Sequence, residues 1–167
     1  IYVGYMYGDK NSKDFSLAHS NTNSIAAKTY LESWYKKKII DKGYEEYISS
    51  DVGFCGDRSL SDGDGVSLDN STYYGSYGRS NLSTASFICP NIERDLYTTS
   101  SASMGNKALT YPVGLITYDE LVFAGMDSKH INKLSWAYSS DNYWTMSPSF
   151  YYSTNKIAYG WILNKNG

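Results

Sequence analysis

Few residues in this chain have the type and spacing for chemistry. Cys55 and Cys89 are its only cysteines. Each closes a short apolar patch, Val52-Gly53-Phe54-Cys55 and Phe87-Ile88-Cys89-Pro90. Three states are open to such a pair: a disulfide, two reduced core thiols, or a reactive thiol. No His or Asp placement favours a Cys nucleophile, and two thiols alone make a poor zinc site. A disulfide is the expectation, closing a loop of about 35 residues worth roughly 4 kcal/mol on a chain-entropy argument. The two histidines sit in Leu17-Ala18-His19-Ser20 and Ser128-Lys129-His130-Ile131. Neither lies near a nucleophile motif such as Gly-x-Ser-x-Gly, so both read as surface residues.

The carboxylates divide in the same way. Asp62-Gly63-Asp64-Gly65 with Asp69 suggests calcium, but the EF-hand template fails. Counted from Asp62, Val66, Ser67 and Tyr73 fall where an oxygen ligand, glycine and glutamate are needed. An acidic turn and an irregular calcium site are the readings left. Thr117-Tyr118-Asp119-Glu120 has the spacing of a capping box, so its acidic pair has helix-capping work at hand. Lys36-Lys37-Lys38 suits the last turn of a helix, where cations complement the dipole. No catalytic residue, metal ligand or cofactor is assigned.

Recognition chemistry is better represented. The chain has 18 tyrosines against five phenylalanines, with 25 serines, 14 glycines and 12 asparagines. Tyr offers a large amphipathic surface with few torsions to freeze, and Ser, Gly and Asn offer adaptable hydrogen bonding, the mixture that binding loops use. The candidate ligand-binding residues are Tyr73, Tyr74, Tyr77, Tyr138, Phe150, Tyr151 and Tyr152, which lie in Gly/Ser/Asn-rich stretches and are expected exposed on loops. Their rings are expected in the core less than those of Trp34, Trp144 and Trp161. The alternative is that these tyrosines pack beneath their own loops.

Those loops need elements to hold them. At 167 residues one domain is the expectation. Ile1 to Gly8 alternates as a first strand. Asn23 or Ser24 caps a helix to about Lys38, whose apolar positions Ile25, Ala27, Leu31, Trp34, Tyr35 and Ile39 fall mostly on one face. Gly43 breaks it, and Tyr44–Ser50 adds a helical turn. Residues 56–81 read as one long loop. Phe87–Cys89, Leu109–Ile116, Tyr143–Pro148 and Ile157–Leu163 are strands, Tyr118–Ala124 is a helix ended by Gly125, and Phe150–Asn155 is a loop.

Three segments carry a resemblance: Leu115-Ile116-Thr117-Tyr118-Asp119-Glu120-Leu121-Val122-Phe123-Ala124-Gly125, Tyr143-Trp144-Thr145-Met146-Ser147-Pro148 and Ala158-Tyr159-Gly160-Trp161-Ile162-Leu163. With Cys55-Gly56-Asp57-Arg58-Ser59, Tyr73-Tyr74-Gly75 and Cys89-Pro90, they resemble uncharacterised surface proteins of gut Firmicutes, some with a pilin-like N-terminal helix. The tail also resembles the C-type-lectin-like fold shared with formylglycine-generating-enzyme relatives. The resemblance implies an α+β domain over 1–167, with two main helices, short antiparallel strands and long irregular loops. It departs in three places. The lectin calcium motifs Glu-Pro-Asn, Gln-Pro-Asp and Trp-Asn-Asp are absent, and so is the C-terminal catalytic cysteine pair. The closing strand, often Gly-Val-Arg-Pro, is not reached before Gly167, which implies a truncated domain with an exposed sheet edge.

The formal net charge of −2 supplies no field for nucleic acid. No apolar run approaches the roughly 18 residues of a membrane span, so no membrane contact by this segment is expected. Only 19% of residues are charged, which suits an exported protein. No signal peptide is visible, and the chain starts at Ile1, so any leader or anchor is expected to have been removed or to lie outside it. The leading expectation is a noncatalytic domain, extracellular or on a bacterial cell surface, that binds a surface, a glycan or a protein. A structural subunit of a pilus-like assembly and a wall-polymer hydrolase are the alternatives.

Overall fold

The computed structural model describes residues 26–61, 72–127, 129–152 and 157–164. The expected first strand, the cap at Asn23 or Ser24, His19, the acidic turn at 62–69 and the loop at 153–155 lie outside them. Among the described residues the protein is α+β, with four α-helices and two small antiparallel sheets.

Helix α1 runs Ala26–Lys38. Ala27, Leu31 and Tyr35 recur at four-residue steps and form its inner stripe. Ala27 and Tyr35 are buried. Leu31 packs against the core cluster of Tyr97, Leu109 and Met146, and the Tyr35 ring stacks on Tyr111 at 5.3 Å. Trp34 lies about 100° round the helix from Tyr35 and is 43% exposed, which corrects its ranking as core-like. The three lysines occupy the last turn, with Lys36 bonded to Asp41 at 2.5 Å. A 3₁₀ turn, Ile40–Lys42, ends at Gly43, whose φ of +70° suits glycine. A second turn, Glu45–Tyr47, follows within the expected segment.

Strand β1 (Gly53–Cys55) pairs antiparallel with β3 (Leu96–Thr98). Cys55 and Cys89 form the expected disulfide, with Cα atoms 5.8 Å apart. That bond anchors residues 84–89, which form no strand. The apolar run Phe87-Ile88 stays outside the sheet, with Phe87 64% and Ile88 76% exposed. Helix α3 (Ile92–Asp95) follows, with the Asn91 side chain accepting from the Arg94 backbone.

The second sheet has the order β2 (Thr72–Tyr73), β4 (Tyr143–Tyr152), β5 (Ile157–Leu163). β4 continues past Pro148, where a strand end was expected, and absorbs Phe150–Tyr152 from the expected loop. The register shifts on both sides of Pro148, which accommodates a residue without an N–H in a central strand. The long loop expected over 56–81 is also corrected, because its end holds β2 and helix α2 (Gly75–Leu82). The helix formers there are poor, so tertiary bonds hold it. The buried Ser76 hydroxyl donates to the Pro148 carbonyl and accepts from Trp161 Nε1 at 3.0 Å.

Residues 109–116 form no strand either. Leu109 bridges Thr99, and Ile116 accepts from the Met146 N–H at 2.9 Å, but the stretch between is irregular. Pro112 and Gly114 interrupt it, and a Cβ on Gly114 would sit 2.4 Å from the Phe54 ring. Helix α4 (Tyr118–Phe123) follows with both halves of its capping box formed. Thr117 Oγ1 accepts from the Glu120 N–H at 3.1 Å, and Glu120 Oε2 accepts from the Thr117 N–H at 2.7 Å. Gly125, at φ +82°, comes just after the helix, as expected. Leu121, Met126, Ala137 and Leu163 form a second core cluster beneath it.

Candidate binding surface

Side chains alternate along a strand, so residues two apart share a face. On β2, β4 and β5 this alternation builds a cross-strand row of rings. Tyr73 pairs with Phe150, and Phe150 with Tyr159. Their centroids are 6.0 Å and 4.4 Å apart, the second pair stacked at 18°. Trp161 lies two residues beyond Tyr159 on the same face. Tyr77, from the first turn of α2, reaches Tyr73 at 4.5 Å, Phe150 edge-on at 6.0 Å and Trp161 at 6.3 Å. Trp161 in turn meets the buried Tyr118 at 4.8 Å. Pairs of this kind contribute about 0.5–1.5 kcal/mol each beyond area burial. The row is open at both ends, where Tyr73 is 43% and Tyr159 38% exposed. No residue of β2, β4 or β5 carries a charged side chain.

Three sequence candidates, Tyr73, Tyr77 and Phe150, therefore meet in one surface. Two others are corrected. Tyr74 and Tyr151 are each only 1% exposed, because each follows an outward ring by one residue and points to the opposite face. Tyr74 precedes α2 and donates its N–H to Ser149 at 3.1 Å. Burial pushes its phenol pKa well above the usual tyrosine value. Tyr138 is half-buried and packs against the second core cluster. Tyr152 ends β4, its backbone paired with Ile157. Sequence reasoning missed Tyr159 and ranked Trp161 as more core-like than the candidates; it is half-buried and also joins the row. The alternation of Ala158-Tyr159-Gly160-Trp161, small then aromatic, was the available signal.

On another side, the Cys55–Cys89 disulfide borders a cavity of about 140 Å³. Phe54, Phe87 and Ile88 supply apolar walls, and Asp57, Asp119 and Glu120 supply carboxylates. Phe87 meets Phe123 edge-to-face at 5.4 Å, and Phe123 is 78% exposed. Asp119 takes a two-point grip from Arg79, at 2.6 and 2.8 Å, and accepts the Ser86 N–H at 2.9 Å. Asp57 accepts from Arg79 at 3.1 Å and from the Ser59 N–H at 2.9 Å. Glu120 caps α4. The fully buried Asp95 is bonded by Arg58 and Arg94 at 2.7 Å each. Asp57, Asp119 and Asp95 are thus held by arginines, and Glu120 by its capping bonds.

His130 Nδ1 lies 3.0 Å from Asp127 on an exposed turn. Burial alone would raise the Asp127 pKa. The Lys129 and His130 N–H groups and the imidazole outweigh it, so the carboxyl sits below its ordinary value. Among the described residues no group of three or more His, Cys, Asp or Glu is placed to hold a metal. No helix among them is long and apolar enough to cross a membrane.

Comparison of the chain with protein-family models, with curated proteins and with solved structures found no match.

Proposed function

We propose that this chain is a noncatalytic extracellular binding domain, C-type-lectin-like in kind, that recognises a glycan, protein or surface through the aromatic row Tyr73–Phe150–Tyr159 with Tyr77 and Trp161. The row itself carries the reading: linked rings, open at both ends, on strands without a charge. Tyr and Trp rings are common energetic anchors of interfaces. The disulfide fits an oxidising, extracellular setting. The pairing of Asp57 and Asp119 with Arg79 in the disulfide-side cavity favours binding over hydrolysis.

The test is an unbiased glycan and protein array probed with the purified domain. Tyr73→Ala and Tyr159→Ala should each weaken the signal while the melting temperature stays near wild type. Tyr74→Ala and Tyr151→Ala should instead unfold the domain, at a cost of about 3–5 kcal/mol each, the range for a buried aromatic ring. If binding survives Tyr73→Ala and Tyr159→Ala together, the row is not the contact surface.

A further inference from the structure

The disulfide-side cavity is a second surface, on different residues from the aromatic row. Its volume of about 140 Å³ is well below the roughly 300–1,000 Å³ of sites for drug-sized ligands. It suits one side chain. Its walls are of two kinds. Phe54, Leu96, Phe87, Ile88 and the disulfide are apolar, while among the described residues three carboxylates line it and no cationic side chain does. Arg79 pairs with both Asp57 and Asp119, so one guanidinium faces two negative charges. Among the described residues Glu120 has no salt-bridge partner, and both hydrogen bonds of its capping role fall on Oε2, leaving Oε1 outside them. The Arg58–Asp95–Arg94 group carries one surplus positive charge nearby, but none of its side chains lines the cavity.

Beside the cavity, Phe87, Ile88 and Phe123 form a shelf exposed to 64%, 76% and 78%. Exposed large apolar residues in contact with one another mark interaction surfaces more often than isolated ones do. An acidic hole beside such a shelf complements a side chain with an apolar stem and a cationic head.

We propose that this cavity receives a lysine or arginine side chain of a protein partner. The head group lies toward Glu120, the aliphatic stem against Phe87 and Ile88, and an apolar neighbour on the partner covers Phe123.

n-Butylammonium chloride mimics the lysine side chain and can be titrated into the intact domain by ¹H–¹⁵N NMR, with n-butanol and sodium butyrate as comparators. The amide signals of Phe87, Ile88 and Glu120 should shift saturably with butylammonium, more weakly with butanol and least with butyrate. Glu120→Gln keeps the capping box, because glutamine serves at that position. It should weaken butylammonium about two- to fivefold, the range of an exposed ion pair, and leave butanol unchanged. Ile88→Ser should weaken both. Butanol binding as tightly as butylammonium, a Glu120→Gln variant with unchanged ammonium affinity, or the absence of saturable shifts would each overturn the proposal. Tyr73→Ala and Tyr159→Ala should bind butylammonium as wild type does, so failure here and failure of the aromatic row are separate results.

Discussion

Replacing Arg79 by methionine is the most informative test of the buried charge network. The Arg79 side chain is 19% exposed, and those of its partners Asp57 and Asp119 only 6% and 8%. It joins three parts of the chain: α2, which carries it, the segment after β1, and the first turn of α4. Through Asp119 it also steadies Ser86. Methionine keeps most of the stem and removes the charge, leaving two buried carboxylates without their cation. Breaking a buried pair from one side costs about 3–5 kcal/mol. Urea unfolding near neutral pH should show a loss of that size. Removing the stranded charges as well, with Asp57→Asn and Asp119→Asn in the same chain, should recover part of the loss. A loss under about 1 kcal/mol, or no recovery with the two asparagines, would refute the reasoning. The pairs would then behave as solvated surface bridges.

Other perturbations read other parts of the fold. Thr117→Ala removes one half of a formed capping box and should cost about 1 kcal/mol in chemical denaturation. Cys55→Ser with Cys89→Ser opens a link across 34 positions and should cost roughly 4 kcal/mol by the same assay. Tyr97 and Tyr118 have phenols pushed up by burial to about 12, so they stay neutral in the folded state where unfolded tyrosine ionises near pH 10. Their contribution is intact below about pH 10 and lost as pH rises toward 12. Stability should fall there by about 1.4 kcal/mol per pH unit for each buried ring, and ultraviolet titration should show those phenols ionising only with unfolding.

The parts of the fold legible in the sequence are those encoded locally. The capping box at Thr117 needs only residues three apart, and Gly43 and Gly125 announce positive φ. The stripe of α1 needs only a four-residue period, although Trp34 shows that period alone does not exclude a neighbour at the stripe's edge. The misread parts depend on distant contacts. Residues 75–82, rich in Gly, Ser and Asn, become helical because Ser76 donates to Pro148 and accepts from Trp161, and Arg79 donates to two aspartates, all far off in sequence. Pro148 reads as a stop but sits inside β4, because flanking register shifts make room for it. Phe87-Ile88 reads as part of a short strand, yet a covalent link holds it and its side chains stay outside the sheet.

The aromatic row follows the same logic. Composition showed that tyrosines were plentiful but not which way each pointed, and in a strand that direction reverses at every residue. Tyr73 and Tyr74, or Phe150 and Tyr151, are indistinguishable by composition, but one of each pair joins the outward row and the other the interior. The strand assignment decides the matter, and it in turn rests on carrying β4 through Pro148. Ending β4 at Pro148 leaves Phe150 and Tyr151 as equivalent loop rings. Carrying it to Tyr152 separates them onto opposite faces and brings Tyr159 and Trp161 into register beside Phe150. The outer rings, Tyr73 and Tyr159, each take part in ring pairs worth about 0.5–1.5 kcal/mol, whereas Tyr74 and Tyr151 fill the interior, where loss of a ring costs about 3–5 kcal/mol. That gap in cost lets substitution at the ends of the row report on recognition and not on folding.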